Sequence, residues 1–197
     1  MSDKSPEEID YGPLTGMIGE WRGDRGIDIA PEPDGIERSP FYETILFEAA
    51  GDVDNAEEQY LTIVRYHQKV FRKSNDEQFH DQVGYFTWEP ATGTITQSFV
   101  IPRGVGVVAG GKVISDNEGE LVIKMDAKDQ DAGWNVCQSP FMREKARTVS
   151  FTHTITLKGD EMSYEERTLL DIYGREFDHV DKSKLTRVGV RYIRSHS

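Results

Sequence analysis

Between Arg147 and Lys158, apolar and hydroxyl-bearing side chains alternate without a break. Val149, Phe151, His153, Ile155 and Leu157 share one face; Thr148, Ser150, Thr152, Thr154 and Thr156 share the other. A period of two predicts a half-buried β-strand, with one histidine on its apolar side. Similar runs lie at 19–29, 41–49, 59–72, 79–88, 94–101, 104–114, 120–127, 161–173 and 184–194. Turn chemistry separates them: Pro31-Glu32-Pro33-Asp34-Gly35, Gly51-Asp52, Ser74-Asn75-Asp76, Thr92-Gly93, Asp116-Asn117-Glu118-Gly119 and Gly159-Asp160. Ten strands at hairpin spacing predict an all-β fold, an antiparallel closed barrel of about ten strands. Residues 11–18 allow one short N-terminal helical turn, 1–10 read as a disordered lead, and 11–197 as a single barrel domain. Residues 128–146 form the longest irregular stretch, a lid or packing segment.

The start Gly19-Glu20-Trp21-Arg22-Gly23-Asp24-Arg25-Gly26 suits a barrel end. Glycines let a strand bend and backbones approach, and the tryptophan can plug the opening. Closed barrels of this size often hold one ligand.

Charge narrows the partners. With 23 basic against 35 acidic residues, the formal charge of −12 argues against nucleic acid or an anionic membrane. No apolar run is long enough for a membrane-spanning helix, and the polar start does not read as a signal peptide. Cys137 is the single cysteine, which excludes an internal disulfide and a thiolate zinc cluster. A cytoplasmic protein is expected. If the chain self-associates, a homodimer is the expected form.

Local motifs carry little chemistry. Gly106 to Lys112 has phosphate-loop spacing, but Val113 replaces the magnesium-binding hydroxyl and a strand follows. Asp126, Asp129 and Asp131 lack calcium-loop spacing. Glu165 and Glu166, being adjacent, point to opposite faces, so Glu166 needs a partner, a water or a place at the mouth. Asp178-His179-Val180-Asp181 offers a histidine and two carboxylates to a metal, or reads as a turn before the last strand. No hydrolase, metalloprotease or redox signature occurs, so no catalytic residue is assigned.

Four segments resemble the nitrobindin-like haem-binding β-barrels, relatives in architecture of fatty-acid-binding proteins and lipocalins. They are Gly19 to Gly26, Phe41 to Phe47, Tyr66 to Lys69 with His80 to Phe86, and His179 to Arg187. Gln82 stands where the family usually has Glu. The resemblance implies a ten-stranded barrel. It also implies ferric haem b held by a histidine near the start of the last strand, with His80 in the second, non-ligating position. Nitric oxide binding and peroxynitrite isomerisation would follow. Counting back from Leu185 and Arg187, however, the ligand position falls on Val180. His179 comes one place early, and a one-residue slip turns a side chain to the opposite face, unless a one-residue insertion in a turn at 181–184 restores it to the site. Segments 30–40, 50–58 and 128–146 are additional to the compact family pattern and could cover the mouth.

The leading expectation is therefore a non-enzymatic barrel, without cofactor, binding a small hydrophobic or carboxylate-bearing ligand. The expected pocket residues are His80, Tyr66, Phe151, His153, Tyr164, Arg187 and Arg103, with an arginine pairing any ligand carboxylate. No alternation shows which face carries Tyr66 or Arg187. The alternative is a haem protein of the peroxynitrite isomerase type with His179 on iron.

Overall fold

The computed structural model describes residues 5–189. Two 3-10 turns, Pro6–Glu8 and Gly12–Met17, precede eleven strands. These are β1 (Gly19–Glu32), β2 (Gly35–Asn55), β3 (Gln59–Arg72), β4 (Gln78–Glu89), β5 (Thr94–Ile101) and β6 (Val105–Asn117). They continue with β7 (Glu120–Lys128), β8 (Asn135–Gln138), β9 (Ala146–Lys158), β10 (Glu161–Ile172) and β11 (Arg175–Gly189). One short helix, α1 (Pro140–Lys145), lies between β8 and β9. Ten strands form the wall, each antiparallel to its neighbours. β1 pairs with both β2 and β11, and β5 pairs with β6, so the sheet closes. β8 adds a short rung to Val105–Val108 of β6.

Several boundaries differ from expectation. The expected strands 19–29 and 41–49 extend through 30–40 as one hairpin, in which Glu32 pairs with Gly35. The 50–58 segment likewise continues the β2–β3 hairpin to Asn55 and Gln59. Residues 178–181 lie inside β11, not in a turn. The turn falls at Tyr173 and Gly174, whose φ values of 55° and 75° give a two-residue hairpin of the kind that matches strand twist. Part of the expected lead is ordered, since Ile9 is buried in the core; residues 1–4 lie outside the described residues. So do 190–194 of the last expected strand.

One end of the barrel is plugged. Leu14, Met17 and Trp21 are fully buried there, and Trp21 Nε1 donates to Met17 O at 2.7 Å. The Arg187 guanidinium lies 4.4 Å from the centre of the Trp21 ring. Between Gly23 and Gly26, β1 bulges, taking three steps where β2 takes two. A Cβ on Gly26 would sit 2.0 Å from the Phe41 ring, so glycine is required for that approach.

Candidate functional site

At the opposite end the barrel encloses a cavity of about 360 Å³. Its apolar wall includes Val70, Phe99, Val107, Phe151 and Leu170, and Met142 of α1 reaches into it. The segment 128–146 thus contributes both a strand and part of the cavity lining. Its Trp134 packs against Gly110, where a Cβ would meet the indole at 1.9 Å.

The other wall carries charge. Asp28 on β1 lies opposite Asp181 on β11, Asp181 opposite Glu166 on β10, and Glu166 opposite His153 on β9. Like charges facing each other across strands are destabilising, so this row needs compensation. Part of it comes from His179, which sits one inward step nearer the mouth. Its Nε2 donates to Asp28 Oδ1 at 2.8 Å and lies 3.5 Å from Asp181 Oδ2. Burial pulls the His179 pKa down. The Asp28 hydrogen bond and the charges of Asp181, Asp28 and Glu166 outweigh it, and the net value is raised to about 9.

Protons supply the rest. Burial first, then Asp181, pushes Glu166 up to about 8, although His179 opposes this. Burial also raises Asp181 to about 7, against the pull of His179. Beneath the row, burial raises Glu43 to about 7, opposed by Ser183, Gln68 and Tyr164. Glu43 Oε2 accepts from Gln68 Nε2 at 2.7 Å and from the Tyr164 hydroxyl at 3.1 Å. Glu43 Oε1 and Ser183 Oγ, though neighbours, have no hydrogen bond of full geometry.

A second network joins the mouth to the interior. Gln82 Nε2 donates to the Tyr66 hydroxyl at 2.7 Å, which leaves Gln82 Oε1 to accept from His80 Nε2 at 3.2 Å. Gln97 Nε2 donates to the same hydroxyl at 2.9 Å, and Gln97 Oε1 accepts from His153 Nδ1 at 2.9 Å. These amide orientations assign the protons on both rings. Burial lowers the pKa of His153 to about 3, so the ring is neutral and its Nε2 has no partner. Burial also lowers that of His80, with Arg103 and His179 acting in the same direction.

The expected pocket residues divide into three groups. His80, Arg103, Phe151, Tyr164 and His179 line the cavity, with Arg103 on its exposed rim. Tyr66 and His153 lie deeper, beside a gap of about 10 Å³ that Tyr164 also borders. Arg187 does not belong to the pocket. It is held at the plugged end by Trp21, by the carbonyls of Gly16 (2.8 Å) and Ile18, and by Asp160 at 2.9 Å.

The expected outward turn of His179 is also corrected. The β10–β11 register is unbroken from Arg175 to Thr186, so His179, Asp181, Ser183 and Leu185 share the inner face. Asp178 points outward, to Arg167. Asp28, Glu43 and Asp181 were not among the expected pocket residues. Glu43 had a visible signal, a carboxylate in the alternating run Phe41, Glu43, Ile45, Phe47. Asp28 had none, because the β1 bulge precedes it.

A family model described as a THAP4-like, heme-binding beta-barrel domain matches residues 10–187. Among solved structures, Rv2717c from M. tuberculosis is similar at a TM-score of 0.68 and 18% identity, over 90% of this chain and 99% of that one. At that identity the likeness speaks for the fold alone. A search of the curated proteins finds no match. Among the described residues, no helix is long and apolar enough to cross a membrane.

Proposed function

Since the chain belongs to the family of THAP4-like heme-binding beta-barrel domains, and so is a ligand-binding barrel of nitrobindin type, we propose that its cavity takes a small, mainly apolar ligand and performs no catalysis. The observation behind this reading is the enclosed space itself. Its volume of about 360 Å³, bounded by Phe99, Phe151 and Leu170, lies in the range of small-molecule sites. A polar head group would meet Arg103 and His80 at the mouth, while in the acid row below, the cation, His179, is already paired with Asp28. A carboxylate-bearing ligand therefore enters tail first.

The test is titration with the fluorescent probe 1-anilinonaphthalene-8-sulfonate, followed by displacement with medium-chain fatty acids and alcohols. Leu170→Trp, which narrows the cavity, is expected to weaken probe binding while circular dichroism stays unchanged. Undiminished binding in that variant would sink the proposal.

Haem is the second reading, favoured by the family and by His179 facing inward. The residues present do not fit it as arranged. Iron needs an imidazole lone pair, whereas His179 donates through Nε2 to Asp28 and is held protonated. Freeing it at neutral pH costs about 3 kcal/mol, from a shift of some two pKa units, and strips Asp28 of its donor. Adding hemin to the apoprotein is expected to give no Soret band that depends on His179.

A further inference from the structure

Three potential ligand atoms, one each from Asp28, His179 and Asp181, lie within 4.8 Å of one another. Two adjacent strands supply them, β1 and β11, on which Asp28 and Asp181 are register partners, so a paired wall sets the spacing. A porphyrin iron offers one axial position on each face. It could take His179 but not the two carboxylates that crowd the same nitrogen. A bare divalent ion can take all three.

A second observation points the same way. Ser183 and Glu43 are 3% and 1% exposed, and Ser183 Oγ and Glu43 Oε1, which neighbour each other, make no hydrogen bond of full geometry. Ser183 shares the inner face of β11 with His179 and Asp181, one inward step below Asp181. Glu43 is near enough for its charge to act on both Asp181 and Glu166. Unmatched buried oxygens in a native interior call for an ion or an ordered water. Here they abut the carboxylate row on its inner side.

We propose that Asp28, His179 and Asp181 bind one divalent transition-metal ion on the charged wall of the barrel. Each ligand replaces a contact already made within the trio, so no partner is stranded. One imidazole and two carboxylates suit Zn²⁺, Mn²⁺ or Fe²⁺, and with no thiolate in the set they disfavour soft ions. Three protein ligands leave coordination positions open. Because all three residues line the cavity, those positions face it. Glu166 stands beside Asp181 without belonging to the trio.

The probe is Co²⁺, followed by its displacement with Zn²⁺, on the full chain stripped with chelator. Visible d–d absorption saturating at one Co²⁺ per chain and bleached by Zn²⁺ is expected. His179→Ala and Asp181→Asn should each weaken binding at least about tenfold. Glu165→Gln, on the outer face, should leave it unchanged. Thermal melts of each variant separate loss of site from loss of fold; if His179→Ala melts early, Asp181→Asn decides. Absence of stoichiometric binding, or binding that survives both inner substitutions, overturns the proposal. The dye titration of Leu170→Trp reads the apolar cavity separately, so either idea can fail alone.

Discussion

The two ends of this barrel use polar groups in opposite ways. At the plugged end, every polar group named above has a protein partner: Trp21 Nε1 meets Met17 O, and Arg187 meets backbone carbonyls and Asp160. In the middle and toward the mouth, three carboxyl groups face each other across adjacent strands, and three deeply buried side-chain atoms nearby lack partners. The plugged end is built to be closed. The other end holds more acid than its own protein groups neutralise, which is the mark of a place meant to be completed by something else.

The largest effect that would sharpen this contrast is at the plug. Trp21→Ala removes a fully buried indole, its hydrogen bond to Met17 O and its contact with the Arg187 guanidinium. A loss of about 3–5 kcal/mol is expected from urea unfolding, and a loss below ~1 kcal/mol would mean the plug is not what closes the barrel.

Next comes a gain at the other end. Glu43 has its folded pKa raised from the ordinary 4.5 to about 7. Below pH 4.5 both folded and unfolded forms hold the proton, so nothing is lost. Between 4.5 and 7 the unfolded chain releases it while the folded chain keeps it, and stability falls as pH rises. Above 7 the full penalty, about 3 kcal/mol, is present. Glu43→Gln should therefore stabilise by about that amount at pH 8 and hardly at all at pH 4. Its amide can also donate to Ser183 Oγ. Urea midpoints at the two pH values check this, and a destabilised variant at pH 8 would show that the charge is compensated in the native protein.

Smaller still, Arg187→Met keeps the bulk over Trp21 but loses the hydrogen bonds to Gly16 and Ile18. A cost of about 1–3 kcal/mol is expected in the same assay, with probe binding in the distant cavity unchanged. The smallest effect belongs to the rim. Arg103→Gln should move stability by less than ~0.5 kcal/mol and weaken only probes that carry an acid group, as read by dye displacement.

Much of the fold was legible because strand alternation and turn residues agree. The β9 face from Val149 to Leu157, the hairpin at Gly159-Asp160 and the glycine-rich entry at Trp21 all signal a barrel. The start of β11 was not legible, since Tyr173 at φ 55° is an unusual residue for that turn. A coil beginning at Tyr173 hid the fact that His179 and Asp181 share one strand face. Arg187 was misplaced for a different reason. An arginine among apolar residues can serve a ligand or the backbone with the same fork of donors, and only the neighbouring carbonyls decide. The acidic row was illegible at Asp28, where side-chain parity depends on a bulge that sequence alternation does not reveal.

That bulge makes the glycine-rich opening a phase shifter. Trp21 and Gly23 face inward at odd positions, and Asp28 and Ala30 at even ones, because Asp24 and Arg25 are both spent on the outside. Were the same residues to run as regular strand with no bulge, Ile27 and Ile29 would enter the barrel while Asp28 left it. The interior would become greasier with no interior residue mutated. Whether the stretch from Gly23 to Gly26 bulges, rather than which side chains follow it, thus decides between a charged lining and an apolar one.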